Sequence, residues 1–98
     1  MSNTIKLDPK SIVLIPEFYP RYQPDWLTVY QYADAMKAGA RFPNPLVVRD
    51  GADGPYVILD GNHTRLAYAK ISAKQIVCDV SHEPKERWLE VSIRRNQH

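Results

Sequence analysis

A short apolar run, Tyr56-Val57-Ile58-Leu59, stops at Asp60-Gly61 and gives way at once to the polar group Asn62-His63-Thr64-Arg65. An apolar run of this length that breaks at glycine reads as a buried strand. The residues beyond it, with Leu66, Ala67 and Ala69 available for packing, read as a helix from Asn62 to about Ile71. A strand that turns into a helix within two residues builds an α/β unit, which needs a sheet and a helical layer. With 98 residues there is length for one domain and not two, so positions 1–98 read as a single domain. The hydrophobic share of 44% is enough to build the core that must offset chain entropy.

The other elements follow from punctuation and period. Ser11 to Ile15 is the first strand candidate, stopped by Pro16, and Glu17 to Pro24 is irregular because Pro20 and Pro24 interrupt it. Asp25 is suited to cap a helix from Trp26 to about Ala38, with Trp26, Val29, Tyr30, Ala33 and Met36 at helical spacing and Gly39 to end it. Arg41 to Pro45 is a rigid connector. Leu46-Val47-Val48 and Tyr56 to Leu59 flank the turn formers Asp50 to Pro55 and are expected to form a hairpin. Gln75 to Val80 reads as the last strand. Ser81 and Pro84 then open a final helix whose inner stripe is expected to be Trp88, Leu89, Ser92 and Ile93. The predicted order is β-α-β-β-α-β-α, an α/β (α+β) domain with a small mixed β-sheet and packed helices.

The chemistry concentrates at the strand-to-helix turn. The first N–H groups of a helix lack internal partners and, with the helix dipole, attract anions. Gly61 permits close backbone approach; His63, Thr64 and Arg65 can donate hydrogen bonds to a phosphate; Asp60 can hold a metal ion or orient a donor. The plainer reading is a tight turn with Asp60 or Asn62 as an ordinary cap. If the turn is a site, His63 and Arg65 are expected to face solvent, so that alanine at either weakens anion binding and spares the fold. Helical rotation could instead point Arg65 away from the ligand.

Elsewhere the signals are weaker. A formal net charge of +2 does not argue for nucleic acid by itself. Arg87, Arg94 and Arg95 make the last helix basic, but Glu83, Glu86 and Glu90 share it, so a mixed solvated face competes with DNA contact. Tyr19, Tyr22, Trp26, Tyr30 and Tyr32 crowd one region, as a stacking surface or as core and rim. His82 and His98 have no metal-ligand spacing. Cys78, in the apolar run Ile76-Val77-Cys78, has no disulfide partner and reads as a buried thiol. The first residues lack the features of a signal peptide and no apolar run is long enough for a membrane span, which makes the cytoplasm the default compartment.

Three segments together resemble the ParB/sulfiredoxin superfamily, including the ParB-like nuclease group, over nearly the whole chain. Tyr19-Pro20-Arg21, the helix to Gly39 and Phe42-Pro43-Asn44-Pro45-Leu46-Val47-Val48 look like the family's "P-R, helix, G, P-hydrophobic-V" segment. Ile58 to Ala67 is similar to its "D-G-x-H-R-x-x-A" turn, which carries nucleotide phosphates. Val91 to His98 resembles the segment ending "E-N-x-Q-R" in partition proteins. The resemblance implies a ParB/sulfiredoxin-like fold and a nucleoside triphosphate (CTP or ATP, with or without Mg) held by Gly61, Asn62, His63, Thr64, Arg65 and Arg21. It also implies DNA association in a bacterial or phage setting, through a larger assembly or a further C-terminal domain. Family members normally continue into a helix-turn-helix domain, so the chain is either a stand-alone version or a piece of something longer.

The departures matter as much. Asn62 stands where sulfiredoxins carry their catalytic cysteine, so sulfiredoxin chemistry is not expected. Gly61-Asn62-His63-Thr64 replaces the partition proteins' "G-E-R-R", and Arg95 takes the position of the family's glutamate. The expected function is therefore a nucleotide-binding ParB-like domain in a DNA-associated or regulatory assembly, with a homodimer allowed and no membrane partner. The alternatives are a metal-dependent nuclease, phosphotransferase or ATPase with Asp60 and His63 as candidate catalytic residues, or an interaction module that has lost its ligand.

Overall fold

The computed structural model describes residues 3–19 and 23–95. Among them the elements run β1 (Thr4–Leu7), α1 (Trp26–Lys37), β2 (Leu46–Arg49), β3 (Tyr56–Asp60), α2 (Asn62–Lys70), β4 (Ile76–Ser81) and α3 (Trp88–Arg95). This is the predicted order of strands and helices. The strands form one mixed sheet in the order β1-β4-β2-β3. β2 and β3 are the expected antiparallel hairpin, β2 runs parallel to β4, and β1 closes the far edge antiparallel to β4.

The sheet is covered on both faces, and its alternation shows why β3 is continuously apolar. Val47 and Ile58 point to one side, into a core with Ile12, Tyr19, Ile76 and Cys78. Leu46, Val48, Val57 and Leu59 point to the other, against Trp88 of α3. A strand buried on both faces loses the polar half of its period. α1 packs on α2 as an outer layer through Val29, Ala33 and Ala67.

Three expectations need correction. The first strand is Thr4–Leu7, not Ser11 to Ile15, where a single parallel bridge joins Val13 to Val57 at the edge of β3. Pro9 and Pro16 bracket that segment and allow little more than one bridge. On α1, Trp26 and Tyr30 are exposed rather than inward, because the helix packs chiefly on one other helix, α2, and buries a narrow strip. On α3 the inner stripe is Trp88, Val91 and Ser92, while Leu89 and Ile93 lie on the exposed side. One further turn along that stripe brings in Arg95.

The cap assignments agree with the sequence. Asp25 Oδ1 accepts the N–H of Leu27 at 3.1 Å and of Thr28 at 3.4 Å. Its Oδ2 accepts the Thr28 hydroxyl at 2.9 Å, and these bonds, the hydroxyl first, hold the Asp25 carboxyl below the usual range. Gly39 adopts φ +93° just past α1.

Cys78 is fully buried in β4, where burial above all, with Asp79 adding to it, pushes its thiol up to about 11. Only about one molecule in ten thousand then carries the thiolate at neutral pH. A thiol reagent should label the native protein slowly and the denatured protein fast. Rapid native labelling would mean that β4 opens readily.

Candidate functional site

β3 carries a register shift between Leu46 and Val47, with Leu46 opposite Asp60 and Val47 opposite Ile58, so Leu59 is an extra residue. This bulge sits directly before the turn and re-aims the strand end. Gly61 follows with φ +86° and serves as the N-cap of α2 without a side-chain bond. A Cβ there would stand 3.0 Å from Pro45 Cα and 3.2 Å from Pro45 Cβ. Glycine is required by the backbone conformation and by Pro45.

The turn forms one wall of an open cleft of about 660 Å³. Asp60, Gly61, Asn62, His63 and Thr64 line it from the turn. The connector adds Phe42, Pro43 and Asn44, and Arg94 and Arg95 come from the end of α3. Tyr19 and Tyr32 complete the lining, with Tyr32 stacked at a tilt on Phe42 at a centroid distance of 4.8 Å.

The helix-start donors are not all equivalent. The N–H of Asn62 donates to the Tyr19 hydroxyl at 3.1 Å. Tyr19 is only 4% exposed, and burial pushes its phenol up against the lowering pull of that N–H, so it keeps its proton at neutral pH. The N–H groups of His63 and Thr64, as first-turn amides, have no acceptor within the helix. His63 Nε2 accepts the N–H of Asp25 at 3.0 Å, which ties the start of α1 to the start of α2. That bond requires a neutral ring with its proton on Nδ1.

Arg65 lies elsewhere. Its Nε and one terminal nitrogen donate to Asn62 Oδ1 at 3.0 and 2.6 Å. The other reaches the carbonyls of Ile12 at 3.2 Å and Pro9 at 3.4 Å. Burial pulls its pKa down from the usual guanidinium value. The expectation that Arg65 faces solvent is therefore corrected: its position three residues after Asn62 on α2 turns it toward the Pro9–Ile12 segment, away from the cleft. Asn62 is itself 2% exposed, with its side chain holding Arg65 rather than facing a ligand. The turn residues Gly61, Asn62, His63 and Thr64 are brought together with Asp60; Arg21 lies outside the described residues.

Sequence reasoning assigned no role to Asn44, and it left Tyr19 and Tyr32 open as a stacking surface or as core and rim. Tyr19 is 43 residues from the amide it receives, and no local spacing announces such a contact. Arg95 carried a weak signal: its Nε donates to Asp60 Oδ2 at 3.3 Å, with side chains 45% and 20% exposed. An ion pair this open to water is worth about 0–1 kcal/mol.

The described residues build no cation site from protein ligands alone. Among the described residues, Asp60 is the only carboxylate lining the cleft, and it faces a guanidinium. Among the described residues, no three His, Cys, Asp or Glu side chains group to hold a metal. No helix among them is long and apolar enough to cross a membrane.

With this geometry the chain has the fold of the ParB/sulfiredoxin superfamily, as solved structures show. It superimposes on a C-terminally truncated chromosome-partitioning protein ParB from Caulobacter crescentus, complexed with CTP-gamma-S, with a TM-score of 0.81 and 16% identity over 97% of this chain and 53% of that one. The same protein complexed to its centromeric parS site gives 0.73 at 16% identity over 94% and 46%. Sulfiredoxin from Arabidopsis thaliana gives 0.69 at 19% identity over 90% and 94%. The chain thus spans about half the length of the ParB structures and nearly all of the sulfiredoxin. No family model and no curated protein sequence matches it.

Proposed function

We propose that this chain is a ParB-like nucleotide-binding domain that holds phosphates at the Gly61–Thr64 turn. The observation that carries the reading is the composition of the cleft. First-turn amides of α2, two guanidiniums and the Tyr32–Phe42 aromatic wall converge on one space. Amides and arginines suit phosphate oxygens, and the rings suit a base. The likeness to a ParB complexed with CTP-gamma-S supports a nucleotide over an isolated phosphate. The role in a DNA-associated or regulatory assembly rests on the likeness to ParB alone. Sulfiredoxin-type thiol chemistry is not proposed, since Asn62 stands at the turn and Cys78 is buried inside β4.

The test is a thermal-shift panel of CTP, ATP, GTP and ADP, followed by amide chemical shifts. A ligand at a hundred times its dissociation constant adds about 2.7 kcal/mol. That should raise the melting temperature by roughly 10 °C or more in a domain of this size. The amides of Asn62, His63 and Thr64 should move most on titration. No stabilisation by any nucleotide would retire the reading in favour of the interaction module.

A further inference from the structure

Resting on that nucleotide reading, we infer that the cleft takes its nucleoside phosphate as the free anion, without a divalent cation, and that Arg95 occupies the place a cation would take. Asp60 stands at the end of β3 beside the phosphate-facing amides, where a carboxylate could coordinate a metal bound to the ligand. Arg95 Nε sits 3.3 Å from its Oδ2 instead. Because Arg95 lies on the inner stripe of α3, after Trp88, Val91 and Ser92, the packing of α3 against β3 delivers the guanidinium to this spot. The terminal nitrogens of Arg95 have no partner among the described residues, which leaves both to receive phosphate oxygens as a fork.

The charge balance points the same way. Among the described residues, two guanidiniums and one carboxylate line the cleft, and Glu90, which pairs with Arg94 at 2.9 Å, lies outside the lining. An arginine attracts a phosphate most when the phosphate keeps its full charge. A magnesium ion on the nucleotide cancels part of that charge and must also compete with Arg95 for Asp60. Magnesium should therefore weaken binding, the reverse of its effect in a site built around a metal.

The experiment is calorimetric titration of CTP and ATP into the whole chain, in a chelator and in excess magnesium chloride. Binding should be at least as tight in the chelator, and several-fold weaker with magnesium. Arg95→Gln should lose about ten- to a hundred-fold in the chelator, the cost of a charge-assisted bond, and should no longer be weakened by magnesium. Circular dichroism should show its fold intact, since Arg95 is the last residue of α3 and its side chain is 45% exposed. Binding by the parent only with magnesium would overturn the inference and leave the nucleotide reading standing. Unchanged binding by Arg95→Gln in the chelator would overturn it too. If the parent binds neither nucleotide in either arm, the nucleotide reading itself falls and takes the inference with it.

Discussion

Gly61→Val is expected to lower the melting temperature by roughly 10–30 °C, or to prevent folding, before any effect on a ligand can be read. Two costs add. A β-branched residue at φ +86° is a genuine outlier and costs about 1–3 kcal/mol. The new Cβ meets Pro45 Cα at 3.0 Å, and Pro45 is fully buried at the entrance to β2, so it cannot move without the sheet. Forcing that contact adds about 1–3 kcal/mol. Gly39 supplies the control: its φ is +93° and nothing lies within 4 Å of its Cβ position. Gly39→Ala therefore reports the cost of the backbone angle, and Gly61→Ala reports that cost plus the Pro45 contact. Thermal unfolding followed by circular dichroism separates them. If Gly61→Val melts within a couple of degrees of the parent, the account of the turn is wrong. From the sequence, Gly61 was expected to serve the approach of a ligand; the structure gives it a prior duty to the fold.

What the sequence reveals divides along the range of the interactions. β3, the turn and α2 were legible because everything that defines them lies within fifteen consecutive residues: an apolar run, a glycine and a helical period. The hairpin was legible for the same reason, and so was the Asp25 cap, whose partners are two and three residues away. β1 was missed because Thr4-Ile5-Lys6-Leu7 offers only two apolar residues. Its strand conformation is settled by pairing with β4 about seventy residues later. The exposed side of α1 was misread because helical spacing says which residues share a face but not how wide a neighbour waits there. At the site, the turn could be found by local chemistry, whereas the Tyr19 hydroxyl, the His63–Asp25 bond and the Arg95–Asp60 pair depend on how distant segments meet. The inner position of Arg95 is written in the helix, since it falls seven residues after Trp88, but only a correctly phased stripe exposes it.

Arg65 tests the correction most sharply, because the two readings predict opposite behaviour. A solvent-facing arginine that binds phosphate would leave stability unchanged when removed and would weaken the ligand. The structure predicts the reverse. Arg65→Ala strips two bonds from Asn62 Oδ1, which is buried, and leaves the carbonyls of Ile12 and Pro9 without their donor. Leaving buried acceptors unsatisfied costs about 1–3 kcal/mol, and the lost link between α2 and the Pro9–Ile12 segment acts in the same direction. The melting temperature should fall by roughly 10–20 °C. Arg65→Lys should recover little of it, since an ammonium cannot bridge Asn62 and two carbonyls as the planar guanidinium does. At a temperature where Arg65→Ala remains folded, its affinity for nucleotide should stay within a few-fold of the parent, while Arg95→Gln shows the opposite pattern, stable but weak in binding. Unfolding curves and titrations on the two variants side by side decide the matter. An Arg65→Ala protein as stable as the parent but unable to bind would return Arg65 to the cleft.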